Sequence, residues 1–202
     1  MFMKDNIFDS SMDDYLLLSE VKSLHHAIDI NDIAEVELIL NREGNNAKEL
    51  LIYEYDGWNG FHKAITQGHE DMVRSMLHIL GNVENGIYDL LREPNDDGQE
   101  ALHAAAQKGN IGVLKLLLNA AGDKVFTLLE SQDGICYGPL HHAVLNEGDE
   151  AIEMIQLLLD AAGDKAQYLI NLSFGDETIY NSALQDACTG GHTDIVKLFL
   201  KL

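Results

Sequence analysis

Apolar residues along the chain fall at spacings of three and four, in short stretches that come in pairs. The first members are Leu24–Ile28, Phe61–Ile65, Ala101–Ala106, Leu140–Val144 and Ala183–Cys188. The second are Val36–Leu40, Met72–Leu77, Val113–Leu118, Ile152–Leu159 and Ile195–Leu200. Each pair predicts two short amphipathic helices. The pairs recur about every 37 to 44 residues, a period that predicts a stacked solenoid. One pair cannot bury its own apolar face, so its neighbours must supply the missing layer. The predicted units span 21–52, 53–93, 94–129, 130–171 and 172–202. They follow an acidic leader, residues 1–20, expected to be mobile.

The units align on a shared set of residues. Asp97-Gly98, Ala101-Leu102-His103, Ala105-Ala106, Gly109-Asn110 and Leu116-Leu117-Leu118 make up the third. Asp56-Gly57-Trp58 and Gly68-His69 match it in the second, and Gly191-His192 with Ile195-Val196 and Leu198 in the fifth. This pattern resembles the ankyrin repeat over residues 21–202. The resemblance implies an all-α solenoid with short β-turn tips. It also implies that His25, His62, His103 and His141 hydrogen-bond the backbone of neighbouring units. The family threonine before the Pro-Leu-His triplet is replaced by Asn59, Glu100 and Gly138 and survives only as Ser182, where Gln185 replaces the histidine. The usual threonine–histidine hydrogen bond is therefore expected to be missing. The fourth unit reads as longer both before its first helix, around Gly134–Tyr137, and at its inter-helix turn, around Leu145–Glu150.

Between units the chain carries Gly44-Asn45-Asn46, Gly81-Asn82, Gly122-Asp123-Lys124 and Gly163-Asp164-Lys165, each followed by about two turns ending in apolar residues. A glycine that ends one helix and an Asp or Asn placed to cap the next predict a short third helix in each inter-repeat loop. Extended repeats of this kind are similar to those of ankyrin proteins from intracellular bacteria and their protist hosts. That similarity implies an effector acting on host proteins, in the host cytosol; without it the expected location is cytoplasmic.

Charge changes the picture of partners. Lys and Arg number 13 against 34 Asp and Glu, a net charge of −21. Such a field repels nucleic-acid backbones and anionic membrane surfaces. It favours a protein partner with a basic surface. Two cysteines, Cys136 and Cys188, make no disulfide framework and suggest a reducing compartment. No stretch reads as a signal peptide or a membrane span, so no membrane insertion is expected. The apolar run Leu198–Leu202 at the final helix predicts self-association through the C-terminal repeat, or cover by another segment.

Nine histidines without a Cys-x-x-Cys pair or a His-Glu-x-x-His arrangement favour structural roles over zinc, and neither a metal nor a cofactor is expected. Cys136 with His141 and His142 nearby is the weak candidate for a thiol nucleophile. Cys188, at the position of Ala106, is expected to be buried packing. The resemblance places binding on turn tips and the exposed side of the first helices. By position this selects Tyr55, Asp56, Trp58, Thr66 and Gln67, then Asp96, Asp97, Gln99, Gln107 and Lys108. In the fourth unit it selects Tyr137, Asn146 and Glu147, and in the fifth Tyr180. Tyrosine and tryptophan there suit hot-spot contacts, although Trp58 also reads as a side chain folded onto the next repeat. The function implied is non-enzymatic protein binding. Its alternative is a targeting module for a catalytic domain outside this chain.

Overall fold

The computed structural model describes residues 12–81, 86–146, 150–173 and 181–202, with side chains from residue 16 in the first helix. Unit 1 holds α1 (Met12–Asp29), α2 (Ile33–Glu43) and α3 (Ala47–Ile52). Unit 2 opens with the strands β1 (Glu54–Tyr55) and β2 (Trp58–Asn59), followed by α4 (Gly60–Gln67), α5 (Glu70–Leu80) and α6 (Gly86–Arg92). Unit 3 contains α7 (Ala101–Lys108), α8 (Ile111–Ala121) and α9 (Val125–Leu129). Unit 4 contains α10 (Pro139–Leu145), α11 (Ala151–Ala162) and α12 (Ala166–Asn171), and unit 5 α13 (Ala183–Thr189) and α14 (Thr193–Phe199).

The first helices α1, α4, α7, α10 and α13 pack in a row, and α2, α5, α8 and α11 in a second row behind them. The apolar positions at spacings of three and four meet between the rows in one continuous core. Phe61, Leu24, Ile39, Met72 and Leu80 are fully buried there. Small residues let the first helices approach: Ala104, Ala105 and Ala106 are all buried. Within unit 3 the two helices are separated by Gly109 and Asn110 alone. Gly109 takes φ +76°, and its N–H reaches back to the carbonyls of Ala105 and Ala106. Only glycine takes that left-handed cap without strain.

The third helices stand on the rim, as expected, but start differently. Three-residue 3-10 turns at Gly44–Asn46, Gly122–Lys124 and Gly163–Lys165 lead directly into α3, α9 and α12. Asn46, Asp123 and Asp164 make no side-chain cap. The preceding helical turn supplies carbonyls to the first N–H groups, so a side-chain cap has nothing left to satisfy.

Other expectations are corrected. Helix α1 runs continuously across residue 20, and Leu17 packs against the core, so residues 12–20 are not a leader; residues 1–11 lie outside the described residues. The fourth unit is not longer before its helix. Asp133–Tyr137 makes the same turn hydrogen bonds, in register, as Asn95–Gln99, with Cys136 where Gly98 stands. The longer inter-helix turn is real, because residues 146–150 separate α10 from α11. Cys188 is exposed, not buried. Its counterpart Ala106 is covered by the first helix of the following unit, and no described helix covers α13 in the same way.

Candidate binding face

Two hydrogen-bond systems fix the face formed by the tips and first helices. The first is a ladder of buried imidazoles. His62 Nε2 lies 2.9 Å from the Gln99 carbonyl, His103 Nε2 3.2 Å from that of Ser131, and His141 Nε2 3.1 Å from that of Asn181. Each ring N–H donates to the backbone that leads into the following unit. His25 meets no acceptor in good hydrogen-bond geometry, although the Tyr53 backbone lies near enough to favour its protonated form; its ring packs edge-on against Tyr55 at 5.4 Å. Burial drives the protonated form out. His62 and His103 are both held down to about 4, His103 with added repulsion from His142, while burial also lowers His141 and His25. The missing threonine is partly replaced. Asn59 Oδ1 accepts the backbone N–H of His62 at 2.8 Å, and the Gly138 N–H donates to His141 Nδ1 at 3.2 Å.

The second system shapes the tips. Asn95 Oδ1 accepts the N–H groups of Asp97 and Gln99 at 3.0 and 2.9 Å. Asp133 Oδ1 does the same for Ile135 and Tyr137, at 3.0 and 2.9 Å. Its other oxygen accepts from His142 Nε2 at 2.7 Å in a buried pair. Burial would raise the Asp133 carboxyl, but the Tyr137 N–H, His142 and the Ile135 N–H outweigh it and hold it below the usual carboxylate range. Tyr137 stacks on His141 at 5.4 Å and meets His142 edge-on at 5.9 Å. His141 and His142, the imidazoles near Cys136 in sequence, are thus both engaged with other groups.

These brackets leave a groove of about 230 Å³ between the fourth tip and helices α7 and α10. It is lined by Gln107, Ile135, Tyr137, His142, Leu145 and Asn146. Ile135 and Leu145 are 60% and 44% exposed, large values for isoleucine and leucine in a folded chain. A larger depression, about 380 Å³, lies between Asn146, Ile152 and His192–Ile195. It is lined by none of the tip residues.

The structure brings Gln107, Tyr137 and Asn146 together at this groove. Asn146 also has a structural part, donating to the carbonyls of Ala106 and Gln107 at 3.4 and 3.2 Å. Asp56, Asp96 and Asp97 stand exposed on the second and third tips, and no Lys or Arg of the described residues pairs with them. Trp58 is 38% exposed beside Tyr55, its strand partner. Tyr55 itself is half-buried, against His25 and 5.8 Å from Lys22 Nζ. Thr66 is half-buried, and its hydroxyl donates to the Lys63 carbonyl at 3.1 Å; Gln67 donates to Asp29 at 3.0 Å. Lys108 is exposed on α7. Gln99 is a correction: it is 4% exposed, with its N–H, carbonyl and side chain all used inside the tip, so it belongs to the scaffold. Glu147 and Tyr180 lie outside the described residues.

Sequence reasoning passed over Ile135 and Leu145. It also missed Asn110, whose Nδ2 donates to the Ile65 carbonyl at 2.6 Å and ties unit 3 back to unit 2. The signal for the first two was present as apolar residues at positions where units 2 and 3 carry polar ones. No helix among the described residues is long and apolar enough to cross a membrane.

A family model described as ankyrin repeats in three copies matches residues 24–127 and 82–168. No curated protein matches the chain.

Proposed function

Because the chain belongs to the ankyrin-repeat family, whose arrays are protein-interaction modules, we propose that it binds a partner protein through the face formed by its tips and first helices, without catalysing a reaction. The observation that carries this reading is the groove beside the fourth tip, where Ile135 and Leu145 stay exposed at positions that are polar in units 2 and 3, on a face that also presents Trp58. Exposed apolar side chains gathered on one face mark binding surfaces. The unpaired Asp56, Asp96 and Asp97 favour a basic partner and faster encounter at low salt. A targeting module that delivers a catalytic domain outside this chain would use the same surface.

Affinity capture from lysate with mass spectrometry tests the reading. The chain is compared with a Trp58→Ala, Asp96→Lys, Tyr137→Ala variant whose folding is checked by circular dichroism. A protein retained by the first and lost by the second, more weakly held at high salt, is the expected result. Equal retention by both moves binding to the rim helices or the outer row.

A further inference from the structure

Resting on that reading, we propose that the groove beside the fourth tip receives a large apolar side chain from a linear segment of the partner, whose flanking basic residues lie along the second and third tips.

The argument begins with the register of the units. Asn95 and Asp133 make the same pair of bonds two and four residues ahead. That equivalence places Ile135 where the third tip carries Asp97 and the second carries Asp56. Counting from the ladder histidines, Leu145 stands where α7 carries Gln107 and α4 carries Thr66. Unit 4 has thus exchanged polar for apolar side chains at two surface positions that meet across one groove. The core does not require it, because the other units fold with Asp, Gln and Thr there.

Size and charge narrow the occupant. A volume of about 230 Å³ is below the about 300–1,000 Å³ typical of small-molecule sites. It suits one inserted side chain. Gln107 at the edge supplies an amide that can pair with a segment's backbone. The acidic ridge is continuous with the groove. The Gly134 N–H donates to the Asp97 carbonyl at 2.9 Å, immediately before Ile135. Asp96 Oδ2 lies 3.9 Å from where a Cβ on Gly57 would sit, so the second and third tips stand side by side. Lys108 is the cation on the α7 side of the face. Basic residues of the partner therefore belong over the tips, and its apolar residue at unit 4.

The test selects a random 12-residue displayed peptide library on the full chain, then compares binding to Ile135→Asp and Leu145→Gln, singly and together. These variants install the residues that unit 3 already carries, and thermal unfolding checks that they fold. Expected are peptides with one large apolar residue and Lys or Arg to one side, bound at least tenfold more weakly by the double variant and weakened by salt. Acidic winners, winners without the apolar residue, equal binding to the double variant, or no enrichment would each overturn the proposal. Binding lost on Trp58→Ala but kept on the double variant would overturn the groove while leaving the face reading intact. Concentration-dependent self-association removed by Ile135→Asp would name a second copy as occupant, and also overturns the proposal.

Discussion

The backbone N–H of Gly134 donates to the carbonyl of Asp97 at 2.9 Å, stitching the third tip to the fourth. The approach is close enough that a Cβ on Gly98 would lie 2.6 Å from the Gly134 nitrogen, and a Cβ on Gly134 2.6 Å from the Asp97 oxygen. Gly98 also takes φ +75°. Gly98→Ala is therefore expected to destabilise by about 2–4 kcal/mol, combining left-handed strain with a clash against backbone that cannot yield. Urea unfolding measures it, and a loss below the error of the titration would contradict the tip-to-tip contact.

The fourth tip carries the opposite case. Cys136 adopts φ +64° where the second and third tips have glycine. Cys136→Gly relieves strain of about 1 kcal/mol or more but frees the unfolded chain by about 0.5–1 kcal/mol. The net expectation is no loss, and a gain of up to about 1 kcal/mol. A clear loss would show that the thiol has a packing role.

Acidification should unfold the array early. His62 and His103 sit at about 4 when folded, against about 6.5 for a free imidazole. Between those values the unfolded chain holds more protons, so stability present above about pH 6.5 drains away as the pH falls toward 4. Each imidazole contributes on the order of 3 kcal/mol to that loss. Relief of repulsion as surface carboxylates protonate acts the other way. Urea midpoints at pH 7.5, 6, 5 and 4.5 should fall steadily. His62→Gln should flatten the slope even while lowering the plateau. A midpoint constant from pH 7.5 to 5 would be incompatible with neutral buried rings.

Asp133→Ala removes the acceptor for two tip N–H groups and strands the buried His142 ring, at a cost of about 2–4 kcal/mol. Asp133→Asn keeps one acceptor for the tip and is expected to recover about half of that. Exchange of the Ile135 and Tyr137 amides, followed by NMR, should accelerate in the first variant more than in the second.

Gln99 and Ile135 should separate stability from binding. Gln99→Ala opens the bracket of the third tip and lowers the unfolding midpoint, leaving affinity for a ligand of the groove within about twofold wherever the variant is folded. Ile135→Asp should do the reverse. If both changed affinity equally, the division of this face into scaffold and contact would be wrong.

What was legible in the chain was whatever repeats with the same residue. The Leu-His pairs and the glycines at Gly68, Gly109 and Gly191 set the helix pairs, and Gly-Asp-Lys marked the rim helices. The fourth tip was misread because its turn glycine had become Cys136, so an in-register substitution looked like an insertion. Once Asp133 is seen to play the part of Asn95, the exposed Ile135 and Leu145 stand out as departures from their own neighbours. Gln99 misled for a related reason. It shares a position with the half-exposed Trp58 and Tyr137, but its amide is short and polar enough to close the ring with Asn95. Cys188 shows the remaining limit, since its exposure depends on which helices lie beyond it and not on its own repeat position.

The imidazole ladder also gives the chain a direction in time. His62, His103 and His141 each find their acceptor about one unit further along, at Gln99, Ser131 and Asn181. A ribosome delivers those carbonyls only after the histidines have emerged. A newly made unit therefore keeps one imidazole donor unanswered until the opening segment of its successor, the residues ahead of the next first helix, has left the exit tunnel.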